Sequence, residues 1–360
     1  MKSVLVVGAR PNFMKAAPLL QTMESRGADI FLLHTGQHYS PEMSDVFFRE
    51  LGMRKPNLNL GVGSGPHGWQ TGKMMEGIEK VLLKERPDSV IVVGDVNSTL
   101  AGALAAAKLK IPVAHVEAGC RSGDMGMPEE INRIVADRVS RWLFTPTEEA
   151  SANLKAEGIS EGVKFVGNIM IETMLKNLGR ARNLRLPDGL EEKGYAVVTM
   201  HRPENTDDPK RISSILSALE SIGFPMVFPV HPRAEGKIPA GKRKGLENAG
   251  VRLVKPMGYL DFLKLQANAK FVLTDSGGMQ EELLCLKVPC LTMRDSTERP
   301  ITVENGGNVL VGADREKIMK YARELAGSGA LYRKMVSPKV PKFWDEKVSE
   351  RIARVLVSGY

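Results

Sequence analysis

Short apolar runs alternate with longer stretches of helical spacing, and the alternation occurs twice. In the first half the runs are Ser3–Val7, Ile30–His34, Ser89–Gly94, Pro112–Glu117, Trp142–Thr145 and Lys164–Val166. Helical periodicity fills Pro11–Arg26, Gly68–Glu85 and Ser98–Leu109 between them. The second set is Tyr195–Met200, Pro225–Val230, Arg252–Val254, Phe271–Thr274, Val288–Met293 and Asn308–Val311. Its helices include Arg211–Gly223, Tyr259–Asn268, Met279–Leu286 and Arg315–Ala326. Such alternation specifies parallel βαβ units. The expected fold is therefore α/β, with two Rossmann-like doubly wound domains in tandem. The first spans residues 1–168 and the second 191–341. Between them lies a helical linker, 169–190, that ends in the turn signal Leu186-Pro187-Asp188-Gly189. Residues 342–360 close the chain, and Lys342–Val357 reads as an amphipathic helix able to pack on either domain.

A chain of 360 residues is long enough for two full cores without disulfide or metal staples. Its three cysteines, Cys120, Cys285 and Cys290, form no CxxC pair, which argues against a disulfide framework and a zinc site. Charges interrupt every apolar run well short of the ~20 residues a membrane helix needs. The opening MKSVLVVGAR has too short an apolar stretch for a signal peptide, so a cytoplasmic protein with no membrane partner is expected. The formal net charge of +8 and isoelectric point near 9.3 favour an anionic partner. The basic residues are dispersed, with Gly241–Lys244 the one dense run, so a phosphorylated small molecule is expected rather than nucleic acid.

In open α/β sheets ligands sit beyond the carboxyl ends of the strands. Two facing sheets would make an interdomain cleft. The first strand ends in Gly8-Ala9-Arg10-Pro11-Asn12, which lacks two glycines of the dinucleotide fingerprint GxGxxG. Arg10 and Lys15 place two cations at the mouth of the next helix, or are solvated surface charges. Asp95 follows Val93-Gly94, either as a helix cap or as a site acid. Alternation along Pro112–Glu117 puts His115 and Glu117 on one face, toward Asp95. Pro128 opens a helix whose first turn carries Glu129 and Glu130. Crowded carboxylates push one another's protonation apart, which suits acid/base work. One His with no thiol is a poor metal set, so no metal is expected.

In the second half His201 and Arg202 end a strand. Leu273-Thr274-Asp275-Ser276-Gly277-Gly278 runs from a strand through two glycines into a helix. Glycines admit close approach by a ligand, and a helix N-terminus offers N–H groups to a diphosphate. Ser276 adds a hydroxyl, and Glu282 lies within reach of a ribose diol. Arg299 either joins that ligand or forms a solvated pair with Glu298.

The segments GARPNFMK, TGQHY, GDVNST, HVEAGCRSGD, MPEEINR, HRPEN, FPVHP, TDSGGMQEE and MRDSTERP follow one another in this order. Together they resemble the non-hydrolysing UDP-N-acetylglucosamine 2-epimerases. The resemblance implies a glycosyltransferase-B arrangement of the two domains, usually a homodimer, with the C-terminal helix crossing back to the first domain. It implies reversible inversion at C2 of UDP-N-acetylglucosamine, giving UDP-N-acetylmannosamine, with neither NAD nor an obligatory metal. UDP departs as the C2 proton is removed, a 2-acetamidoglucal forms, and UDP adds back. By the same resemblance Asp95, Glu117, Glu129 and His201 are catalytic. Arg10 and Lys15 lie near the sugar and phosphates, and Phe262 on the uracil side. Ser276, Gly277 and Gly278 form the diphosphate loop, Glu282 binds ribose, and Arg299 is a further ligand contact.

Many bacterial members also bind substrate at a regulatory site, using a Gln and an Arg where this chain has Ser40 and Trp69. His231 of that region is retained. Strong activation by UDP-N-acetylglucosamine is therefore not expected. A sister 2-epimerase acting on a UDP-2,3-diacetamido-glucuronic acid is the nearest alternative. A hydrolysing epimerase, a glycosyltransferase of the same fold and a non-catalytic nucleotide-binding module complete the set.

Overall fold

The computed structural model describes residues 1–36 and 48–358. The chain forms two compact units, Met1–Lys176 with Lys342–Tyr360, and Asn177–Pro341. The division falls inside one continuous helix, Ile169–Arg182.

The first unit is built on seven strands: β1 (Lys2–Val7), β2 (Asp29–His34), β3 (Leu58–Asn59), β4 (Ser89–Val93), β5 (Val113–Val116), β6 (Trp142–Thr145) and β7 (Val163–Phe165). They lie in the order β3-β2-β1-β4-β5-β6-β7, every pair parallel. The second unit has β8 (Ala196–Thr199), β9 (Met226–Pro229), β10 (Val251–Val254), β11 (Val272–Thr274), β12 (Cys290–Thr292) and β13 (Asn308–Leu310). Their order is β10-β9-β8-β11-β12-β13, again all parallel. Both sheets are doubly wound and Rossmann-like. In each, strand order reverses once, between β1 and β4 and between β8 and β11.

A parallel sheet covered by helices must be apolar on both faces, and the central strands are. Along β8, Ala196 and Val198 join one buried cluster while Val197 joins another on the opposite side. β4 is buried along its whole length. β3, two exposed residues at the sheet edge, carries no pattern a sequence reading detects.

The closing segment differs from the expected single helix over 342–357. Helix covers Val348–Ser358 only. Phe343 takes φ +63°. The Trp344 indole donates to the Pro146 carbonyl (3.0 Å), pinning a run of turns ahead of the helix. The helix itself docks through buried Glu172, which accepts from the Ser349 backbone N–H (2.6 Å) and hydroxyl (2.5 Å). No helix among the described residues is long and apolar enough to cross a membrane.

Candidate active site

The switch point of the first sheet is assembled from the ends of β1, β4 and β5. Gly8 follows β1 so tightly against the next layer that a Cβ there would lie 2.0 Å from the Ser98 hydroxyl oxygen. Asn12, near the start of the helix Arg10–Ser25, ties the strand ends together. Its Oδ1 accepts from Gly8 N (3.0 Å) and Ala9 N (3.1 Å), and its Nδ2 donates to the Val93 carbonyl (2.9 Å). Arg10 opens this helix, and only its backbone is described.

Lys15, buried one turn further on, forms an ion pair with Glu117. Gly94 makes room for it: at φ +69° it leaves the space a Cβ would take 2.6 Å from Lys15 Nζ. Glu117 itself sits at φ +74°, a conformation that costs a side-chain-bearing residue about 1–2 kcal/mol. Strain of this kind collects at functional sites.

That backbone turn corrects the expectation for His115. β5 ends at Val116, so strand alternation does not extend to Glu117, and the two side chains do not share a face by register. His115 is fully buried and braced. Its Nδ1 lies 2.7 Å from Asp137 Oδ1 and its Nε2 lies 2.8 Å from the Gly94 carbonyl. Asp137 also accepts from the Gly119 N–H (3.1 Å) and pairs with Arg121 (2.7 Å). Burial opposes the Asp137 charge, but His115 and Arg121 hold its carboxyl below the ordinary range. The network fixes the shape of the Glu117 turn.

Asp95, beyond β4, pairs with Arg133. Arg133 lies on the helix Pro128–Val139 and also donates to Glu130 (2.9 Å). Glu130 is buried and accepts from Ser122 N (2.9 Å) and Gly123 N (3.0 Å). These bonds and Arg133 outweigh burial and keep its carboxyl below the usual range. Its neighbour Glu129 is half-buried and engaged by no described residue. Of the two acids in this turn, Glu130 is committed to structure and Glu129 is available for chemistry. Arg133, absent from the sequence expectation, was signalled by its position one helical turn after both.

The second unit places its residues at the switch point of its own sheet. Asp275 follows β11 and is fully buried. It accepts from His201 N (3.0 Å), Arg202 N (3.0 Å) and Asn205 Nδ2 (3.2 Å), and its Oδ1 lies 2.7 Å from His201 Nδ1. Burial pushes the Asp275 carboxyl up, yet the His201 ring and these N–H donors bring it below the ordinary range. Asp275 stood inside a recognised segment without being singled out; a lone acid at a strand end was the available signal.

Gly277 and Gly278 lie within the helix Gly277–Leu286, as its first two residues, where a turn ahead of the helix was expected. Ser276 caps it, and no side chain occupies the cap. A Cβ at Gly278 would meet nothing within 4 Å. The protein itself therefore does not require glycine there. What the arrangement offers is a helix N-terminus with open space at Gly278, which fits a diphosphate, and the Glu298 carboxylate 3.6 Å from where a Gly277 Cβ would stand.

Glu282, one turn later, is buried and accepts from Gln266 Nε2 (2.8 Å). Gln266 lies one turn after Phe262 on the helix Tyr259–Asn268, and Phe262 packs half-buried beside the core. Gln266 is a second orienting residue missed in the sequence. Arg299 pairs with Glu281 at 3.5 Å. Arg294 donates to Glu204 (3.0 Å) and Glu298 (2.5 Å), and Arg202 lies 3.5 Å from Glu298. Ser40 lies outside the described residues; Trp69 is half-exposed in the first turn of the helix His67–Glu85.

Tandem Rossmann-like units, one carrying ion-paired carboxylates at its switch point and the other an open helix N-terminus, define a class of nucleotide-handling α/β enzymes. The chain belongs to the UDP-N-acetylglucosamine 2-epimerase family, whose model matches residues 21–357. It is 46% identical over 371 residues to a UDP-N-acetylglucosamine 2-epimerase of Methanocaldococcus jannaschii, covering 100% of each. It is 44% identical over 364 residues to a UDP-2,3-diacetamido-2,3-dideoxy-D-glucuronate 2-epimerase of Pseudomonas aeruginosa, covering 99% of each. The crystal structure of the M. jannaschii enzyme in complex with UDP-GlcNAc and UDP matches with a TM-score of 0.86 and 44% identity over 100% of both chains.

Proposed function

We propose that this chain is a non-hydrolysing epimerase that inverts C2 of UDP-N-acetylglucosamine to give UDP-N-acetylmannosamine. The observation that carries the reading is Glu117, an acid held at a strained turn against buried Lys15, with Asp95 at the neighbouring strand end. The C2 hydrogen is not acidic enough to leave as a free carbanion. A base takes that proton while the C1–O bond breaks and its electron pair leaves with UDP. The product is a 2-acetamidoglucal. An acid then returns a proton to the opposite face of C2, and UDP adds back at C1. Oxidation state is unchanged, so no redox partner enters.

This sequence needs carboxylates at the sugar and cations or N–H donors at a diphosphate whose charge grows as it departs. Asp95, Glu117 and Glu129 fit the first role, with Glu117 exchanging the proton at C2. Lys15 is the cation paired with Glu117. His201, Arg299 and the N-terminus of Gly277–Leu286 fit the second, with Arg10 near the phosphates, Phe262 toward uracil and Glu282 toward ribose. A homodimer in a reducing cytoplasm belongs to the same reading, supported by family membership and by three cysteines joined in no disulfide.

The test is exchange of solvent deuterium into C2. Glu117→Gln and Asp95→Asn are expected to abolish it while UDP binding survives; full exchange in either variant removes that residue's role. The similarity to the P. aeruginosa enzyme supports a second reading, in which the sugar is a diacetamido-glucuronic acid. Assaying the purified protein on both UDP-sugars decides between them.

A further inference from the structure

Among the described residues two histidines rest on buried aspartates, and they differ in what meets the second ring nitrogen. A carbonyl oxygen only accepts, and so does a carboxylate already taking an N–H and a guanidinium. His115, placed between the Gly94 carbonyl and Asp137, has an acceptor beside each ring nitrogen. It is closed on both sides and acts as a brace.

His201 is half of the same device. Its Nδ1 faces Asp275, which already accepts two backbone N–H groups and the Asn205 amide. With that many donors on it, Asp275 is an acceptor, and Nδ1 carries the hydrogen. No described residue takes Nε2, and the ring is 37% exposed against 0% for His115. The His231 ring lies 5.9 Å away, centroid to centroid.

We propose that Asp275 is the positioning residue of His201: it fixes the Nδ1–H tautomer, so that Nε2 alone exchanges a proton with the substrate, at the departing diphosphate. The inference rests on the epimerase reading for the identity of that substrate. Asp275 also offers a countercharge to the imidazolium, the form in which Nε2–H donates to the phosphate oxygen. Because the phosphate charge grows only as the C1–O bond breaks, the contribution falls on the transition state more than on binding.

The Asp275→Asn substitution separates these roles. Oδ2 serves Arg202 N and Asn205 Nδ2, so the amide oxygen of Asn takes that place. The amide NH2 is left facing His201 Nδ1, which must then accept. The ring is forced into the Nε2–H tautomer and cannot take a second proton at Nδ1.

Nitrogen-15 NMR of the intact protein reads this directly. The wild type is expected to show His201 protonated at Nδ1 with Nε2 exchanging, and Asp275→Asn is expected to move the His201 signals and leave those of His115 in place. The kcat of the variant should fall by about a hundredfold or more, with UDP affinity changed less than about tenfold. A wild-type His201 found as the Nε2–H tautomer overturns the proposal, as does an Asp275→Asn enzyme with unchanged kcat. If the wild type epimerises no UDP-sugar, the functional reading fails while the tautomer result stands by itself. If the variant does not fold, the wild-type spectrum still decides.

Discussion

Glu117 and Gly94 show how a single residue is bent to a task. Both lie at positive φ beside the same buried ammonium, and both follow strands of the first sheet. Glycine bears that conformation without penalty, whereas glutamate does not. The cost at Glu117 aims its carboxylate past the end of β5 rather than across the sheet. Gly94→Ala adds the φ penalty and drives a methyl to 2.6 Å from Lys15 Nζ. Lysine tips usually move cheaply, but this one is buried and paired. The variant is expected to lose about 1–3 kcal/mol in urea denaturation and a larger share of its activity, as Lys15 is pushed off Glu117. The acids themselves were visible in the sequence because they stand at strand ends. The pairings were not, since Lys15 meets Glu117 and Arg133 meets Asp95 through folding alone.

At the scale of elements, the helix Gly277–Leu286 separates what the fold requires from what a ligand requires. Gly278 has an ordinary helical backbone and open space around its Cβ position. Gly278→Ala should therefore fold normally and gain up to about 0.5–1 kcal/mol in a thermal melt. Its methyl occupies the room a diphosphate would use, so UDP affinity by calorimetry should fall tenfold or more. Unchanged affinity would take the diphosphate away from this helix. Acid sensitivity belongs to the same scale, because buried carboxylates join one element to the next. Asp137 and Asp275 are held below their ordinary value of 3.8 in the folded state. Their contribution is complete above that value and is withdrawn as pH falls through the lower folded values. Unfolding followed by circular dichroism should thus steepen below about pH 4. Asp137→Asn, which takes the carboxylate from beside His115 and leaves Arg121 with Glu157 alone, should cost about 3 kcal/mol and flatten that dependence.

For the molecule as a whole, two sheets of the same parallel order are made from one chain, and the closing helix returns to the unit that contains the first strand. Regulation is also a whole-molecule property. Trp69, half-exposed, stands where activated relatives are expected to carry an Arg, and in the sequence Ser40 replaces their expected Gln. An indole supplies no charge to a phosphate. The rate with UDP-N-acetylglucosamine is accordingly expected to rise hyperbolically, and a sigmoidal curve would show an activating site made by other residues.

Local pattern determined the architecture. Apolar runs and helical spacings lie along the chain, so the doubly wound class and the acids at strand ends are legible in order. Short segments shared with the epimerase family carried the chemistry in the same way. Tertiary structure alone decided the rest: the positive φ of Glu117, the closure of one histidine and the opening of the other, and the docking of the closing helix on Glu172. Each depends on groups tens to hundreds of residues apart competing for the same hydrogen bonds. That competition is settled in space, where no sequence spacing records it.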